Sequence, residues 1–137
     1  MANILLPQNI SKNKKFQNIP KETDVTGTNY AVTIPSTSSS TEAKKQFALI
    51  TSLVFTNKTE RSIPIYARVT NDVDGETAFL LYGVNLPPGT AFEVIQGNKV
   101  ILNENDKLFV YHSDSINNVV DCVVSYVIHK PEAEYTV

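Results

Sequence analysis

Residues 63–70, Ile63-Pro64-Ile65-Tyr66-Ala67-Arg68-Val69-Thr70, alternate without a break. Ile63, Ile65, Ala67 and Val69 fall on one side of an extended chain; Tyr66, Arg68 and Thr70 fall on the other. Successive strand side chains point to opposite faces, so this period of two gives one buried and one wetter face. The preceding stretch reads the same way. Phe47, Leu49, Leu53 and Phe55 lie on one face, with Ile50 and Val54 on the other. Downstream, Thr77–Gly83, Ala91–Ile95, Lys99–Leu102, Lys107–Ser113 and Val119–Lys130 are rich in Val, Ile, Phe, Tyr and Thr, which suit a pleated, half-buried surface. Turn chemistry separates them: Asn57-Lys58-Thr59-Glu60, Asn71-Asp72-Val73-Asp74-Gly75-Glu76, Pro87-Pro88-Gly89, Gly97-Asn98 and Asn103-Glu104-Asn105-Asp106.

No helical stripe longer than two turns interrupts this pattern. The predicted fold is therefore all-β, an antiparallel β-sandwich of jelly-roll or Ig-like type. Leu53, Phe55, Ile65, Leu80, Val94, Leu108, Val110, Val123 and Val127 are the expected core. The last strand holds Val119, Val120, Val123, Val124, Val127 and Ile128, apolar on both sides, and so is expected to be covered on both.

The chain divides near residue 45. Residues 45–130 carry the sandwich, and 131–137 read as a short exposed tail. Residues 1–44 read as an extended N-terminal arm, with a short strand at Tyr30–Ile34 and a Ser/Thr loop around Ser38-Ser39-Ser40. Ile4, Leu5, Leu6, Phe16 and Ile19 are its apolar anchors, expected to dock on neighbouring subunits.

Composition excludes several functions. Twelve Lys and Arg against fourteen Asp and Glu give a net charge of −2, which argues against binding nucleic acid through bulk charge. Lys12, Lys14 and Lys15 form a small basic group that reads as a solvated face. One Cys excludes an internal disulfide framework. No apolar run approaches the ~20 residues of a membrane helix, so no membrane partner is expected. The opening Met1–Pro7 has no charged segment and is not expected to be a signal peptide.

Chemistry-bearing residues are sparse. Asp72, Asp74 and Glu76 surround Gly75, but the downstream acid of a calcium loop is missing, so a solvated turn is expected. His112 and His129, the two histidines, are read as surface residues, and Cys122 as core packing. No phosphate loop, nucleophile elbow or dinucleotide fingerprint occurs. No catalytic residue, metal site or cofactor is assigned. Tyr30, Tyr66, Tyr82, Tyr111, Tyr126 and Phe109 could form a sugar platform; packing on sheet faces is the stronger reading.

Two blocks carry a family likeness. One is Phe47–Asn57, a strand ending in Asn before a hairpin. The other is Leu86-Pro87-Pro88-Gly89-Thr90-Ala91-Phe92-Glu93-Val94-Ile95 followed by Lys99–Tyr111, in which Asn105-Asp106 stands where Gly-Asp is usual. Together they resemble small β-sandwich structural proteins of tailed bacteriophage virions, over about residues 30–130. The resemblance implies a non-enzymatic virion protein of the head surface, neck or tail, built into rings or trimers with copies of itself and other virion proteins. It supplies no catalytic residues. The alternative is a receptor- or glycan-binding head domain of a viral fibre, which requires an exposed aromatic and polar cluster at the loop tips.

Overall fold

The computed structural model describes residues 3–25, 31–33, 46–95 and 99–136, with the backbone alone for residues 3–8, 31 and 131–136. Tyr30, Ser38–Ser40, Gly97 and Asn98 lie outside the described residues. Nine strands run in chain order: β1 Asn3–Phe16, β2 Ala31–Thr33, β3 Phe47–Asn57, β4 Ile63–Asn71, β5 Thr77–Leu86, β6 Ala91–Glu93, β7 Val100–Asn103, β8 Asp106–His112 and β9 Val120–Thr136. A single 3-10 turn at Glu22–Asp24 is the one helical element among the described residues.

The strands form two antiparallel sheets. In one, β1, β9 and β3 lie side by side, and β6 and β7 share the far edge of β3. The other runs β2-β8-β4-β5. Between them lies a single apolar core of Ile50, Leu53, Phe55, Ile63, Ile65, Leu86, Leu102, Leu108, Val110 and Val124, all essentially closed to solvent. Burying each such side chain contributes about 1.5–3 kcal/mol. The alternation of β4 holds as read: Ile63, Ile65 and Ala67 are buried and Val69 packs against the core. Leu80 and Val94 are partly buried against it.

One face assignment in β3 is corrected. The register with β9 shifts between Ile50 and Ser52, leaving Thr51 as an extra residue whose hydroxyl donates to the Ser125 carbonyl at 3.1 Å. A bulge of one residue exchanges the faces on its two sides. Ahead of it Ala48 and Ile50 face the core; after it Leu53, Phe55 and Asn57 do. Phe47 and Leu49 therefore share the outer face with Val54, not with Leu53.

β9 is corrected too. Val120, Cys122 and Val124 are buried, whereas Val123 is 39% exposed and Val127 half-buried. Its outer face is thus partly open, and Val123 is not a core residue.

The segment expected as a free arm is tied into the sandwich. β1 pairs with β9 from Asn3↔Thr136 to Phe16↔Cys122. Phe16 and Ile19 are buried in this chain's own core, at 4% and 0% exposure. After β1 the chain crosses the open end between the sheets. Ile19 N–H donates to the Val120 carbonyl at 2.8 Å, and His112 N–H donates to the Pro20 carbonyl at 3.0 Å. Asn18 holds φ +56, and its N–H donates to Asp121 Oδ1 at 2.7 Å. Lys58 completes that corner with an ion pair to Asp121 at 3.0 Å. The local sequence has few apolar residues, so the strand depends on its pairing with β9.

At the other end β9 outruns its neighbour. β3 pairs with β9 only as far as His129, whereas β1 follows it to Thr136. The register shifts between Leu6 and Gln8, where Pro7 lies opposite the stretch containing Pro131. Among the described residues, Asn3–Leu6 and Ala133–Thr136 thus form a two-stranded ribbon beyond the sheet, and residues 131–136 continue the strand where a tail was expected.

Candidate functional site

Among the described residues, the outer face of the β2-β8-β4-β5 sheet carries the largest grouping of aromatic side chains. Register builds it. Arg68 on β4 lies opposite Phe79 on β5 and Phe109 on β8, and Tyr66 lies opposite Tyr111. Tyr82 joins them through a bulge. The β4–β5 register shifts on both sides of Ala67, and Gly83 takes φ +64 there. A Cβ at Gly83 would sit 3.3 Å from the Tyr66 hydroxyl, so the position suits glycine on both counts.

The rings interlock along one line. Tyr66 stacks on Tyr111 with centroids 5.1 Å apart and planes 3° from parallel. Tyr82 meets Tyr66 edge-on at 5.4 Å and Phe79 edge-on at 4.9 Å. The Arg68 guanidinium lies over Phe109 at 4.9 Å and over Tyr111 at 5.4 Å. Such contacts favour a flat, oriented cation over a mobile one. The belt is graded in exposure: Phe109 and Tyr111 are 6% and 3% exposed, Phe79 and Tyr82 43% and 73%. Burial pushes the Tyr111 hydroxyl above its ordinary pKa, with Arg68 opposing the shift. Arg68 Nε is buried without a hydrogen-bond partner.

Polar rows flank the belt. Thr70 and Thr77 share a hydroxyl hydrogen bond at 3.0 Å on one side. Asn85, opposite Pro64, is exposed on the other. Lys107, in the row of Thr70, is already paired with Asp72 at 2.7 Å.

The other singled-out residues scatter. Ile4, Leu5 and Leu6 lie on the ribbon, far along β1 from the buried Phe16 and Ile19. Lys12, Lys14 and Lys15 occupy β1, where Lys14 Nζ stands 5.5 Å from the Phe16 ring centroid. The acidic turn closes on itself. Asn71 Oδ1 accepts from the N–H groups of Val73 and Asp74 at 2.9 and 3.2 Å, and Asp74 Oδ1 from Glu76 N–H at 2.8 Å. Among the described residues no group of three or more His, Cys, Asp or Glu is placed to hold a metal.

The expectation of two surface histidines is corrected for His112, which is fully buried. Its parity on β8, with Leu108 and Val110, turns it inward. Its Nδ1 accepts the Asp114 N–H at 3.0 Å, which places the ring proton on Nε2, and Nε2 has no partner. Burial lowers its pKa. His129 is half-buried, 4.9 Å from the Phe47 ring and hydrogen-bonded to Asn9 at 2.5 Å. Cys122 is buried, and desolvation pushes its thiol pKa far up, away from nucleophilic reactivity.

Sequence reading named Tyr66, Tyr82, Tyr111 and Phe109 but left out Phe79 and Arg68. A signal was present: counting outward from the Asn71–Glu76 turn sets Arg68 opposite Phe79. The two bulges farther out, which bring Tyr82 alongside Tyr66, have no comparable mark. The cluster also sits on a sheet face and not at loop tips.

No family model matches the chain, and neither does any curated protein. Solved virus structures are similar in part. A chain from infectious bursal disease virus Gx strain is 14% identical, with a TM-score of 0.41 over 94% of this chain and 32% of that one. A mutant VP2 protein of infectious bursal disease virus in derived T=1 particles is 14% identical, with a TM-score of 0.45 over 93% of this chain and 36% of that one. For the Gt strain the figures are 14%, 0.37, 93% and 37%. This chain spans about a third of the length of the chains it matches. The likeness is too loose to carry a function across.

Proposed function

We propose that this chain is a non-enzymatic structural protein of a tailed-phage virion, a subunit that assembles with copies of itself and with other virion proteins. Two things support the reading: the turn-and-strand pattern of residues 47–57 and 86–111, and the projecting ribbon. The ribbon carries the argument. Among the described residues, Asn3–Leu6 and Ala133–Thr136 have only each other as strand neighbours. Two strands alone are marginal in water, and a third strand or a covering surface is what makes them stable. The stretch Asn3-Ile4-Leu5-Leu6 is uncharged and mostly apolar, so a neighbouring subunit is the cover we assign to it.

The docking role thus narrows to Ile4, Leu5 and Leu6, since Phe16 and Ile19 are spent on this chain's own core. The test has two arms. Mass spectrometry of gradient-purified particles should find the chain at fixed copy number. A variant lacking residues 1–6 and 133–137 should fold yet fail to enter particles. Normal incorporation of that variant would remove the ribbon from the assembly. Absence of the full chain from particles would end the virion reading.

A further inference from the structure

The exposed end of the aromatic belt lies on the sheet opposite the ribbon and has no part in the assembly just described. We propose that Tyr82 and Phe79, beside Arg68, bind an acidic sugar. One C–H face of the sugar ring stacks on the aromatic surface, and its carboxylate meets the guanidinium.

The exposure gradient locates the site. Phe109 and Tyr111 are covered, so that end offers no ring face for a ligand to stack on. Tyr82 and Phe79 are open at the other end. Their edge-on contact at 4.9 Å fixes both rings before anything binds, so little order remains to be gained on binding. The face of an aromatic ring carries negative charge density, which suits the polarised C–H groups of a sugar. Thr70 and Thr77 on one side and Asn85 on the other supply hydrogen-bonding groups for sugar hydroxyls.

Arg68 sets the charge of the ligand. It is held flat on two rings, its Nε donates to nothing, and it has no ion pair among the described residues. A half-buried guanidinium without an anion is an incomplete arrangement, and a carboxylate completes it with charge-assisted bonds. A neutral sugar would leave it as it is.

Other occupants fit less well. β5 is an edge strand, but two register shifts break its ladder, and a bulged edge is a poor template for an added peptide strand. A single-stranded nucleic acid needs a row of cations along its phosphates. Here Lys107 is already neutralised by Asp72, which leaves Arg68 as the belt's one cation without an ion pair among the described residues. A second copy docked across a two-fold axis would set Arg68 toward Arg68.

Saturation-transfer NMR and titration of the full chain with 3′-sialyllactose, tetragalacturonate, lactose and an oligouridylate test this. Signal should pass to at least one acidic sugar, binding at least tenfold more tightly than lactose and weakening as salt rises. Tyr82→Ala and Phe79→Ala remove exposed side chains and should each weaken that binding at least tenfold with an unchanged circular dichroism spectrum. Arg68→Met should abolish the preference for acid over lactose; if that variant does not fold, the two aromatic variants and the lactose comparison still decide. Equal binding of lactose, transfer to neither acidic sugar, or acidic-sugar binding that survives Tyr82→Ala would each overturn the proposal. Oligouridylate binding that Tyr82→Ala abolishes would overturn it in favour of a nucleic-acid face.

Discussion

The side-chain amide of Asn57 stands 3.0 Å from the carbonyl oxygen of Leu86, joining the last residue of β3 to the last residue of β5 inside the sandwich. The same Nδ2 reaches the Arg61 and Pro87 carbonyls at 2.8 and 3.2 Å. Its Oδ1 accepts from Thr59 N–H at 2.9 Å and Thr59 Oγ at 2.7 Å. At 1% exposure, Asn57 is a buried polar bolt between two loops, β3–β4 and β5–β6. Asn57→Ala should lose about 1–3 kcal/mol for each carbonyl left without a donor. Asn57→Asp should lose more near neutral pH, because it turns an acceptor toward those carbonyls. Urea unfolding measures both, and an Asn57→Ala loss under about 0.5 kcal/mol would show that water fills the place.

Leu108 and Val123 separate core from surface. Leu108 is fully buried, and Leu108→Ala should cost on the order of 2–5 kcal/mol. Val123, on the open side of β9, should lose under about 1 kcal/mol as Val123→Ala. Equal losses would mean that the outer face of β9 is covered after all.

Truncation separates strand from arm. Removing residues 1–29 takes away β1 with the buried Phe16 and Ile19, whose burial contributes roughly 1.5–3 kcal/mol each. That protein should lose its cooperative thermal transition. Removing residues 1–6 alone should keep it. A stable sandwich after the longer deletion would restore the free arm.

His112 links stability to acidity. Burial lowers its folded pKa below the unfolded value of about 6.5. The fold therefore favours the neutral ring. Its contribution is complete above the unfolded pKa and is lost as pH falls through the folded one. Asp114, held below its ordinary range chiefly by its hydrogen bond from Arg61, adds a second loss at lower pH. Lys21 acts on His112 from the crossing segment and opposes its protonation, whereas Asp114 favours it. Urea midpoints should drop between pH 7 and 5, and a folded His112→Gln variant should flatten that drop. An unchanged slope would assign it to other groups.

A thiol reagent gives a further readout. Cys122 should stay unmodified in the native protein and react fully in urea, since burial keeps it protonated. Rapid native labelling would mean that β9 opens.

What the sequence discloses follows from the range of the forces involved. The alternation of Ile63, Ile65 and Ala67 is local, and it survives folding because one face must be dry. The exchange of faces at Thr51 was hidden, because the extra residue is defined only by its partner, Ser125. Phe16 and Ile19 look like isolated anchors for the same reason: the surface that buries them is built from β9, more than a hundred residues away. Asn105, standing where glycine is usual, adopts φ +72, which Asn tolerates better than most residues. His112 ends a strand before a turn, a place that reads as surface until Ile19 and Pro20 close over it.

The pairing of β1 with β9 has a consequence for how the protein is made. β1 leaves the ribosome well before β9, its strand partner. Through most of synthesis the two buried residues near β1 have no core to enter. Closure must bridge nearly the whole chain, and non-local pairing of this kind places folding in the millisecond-to-second range and not faster. A polypeptide interrupted before residue 120 can neither seal its sheet nor build the ribbon. Synthesis of β9 thus becomes a checkpoint, which no shorter product passes.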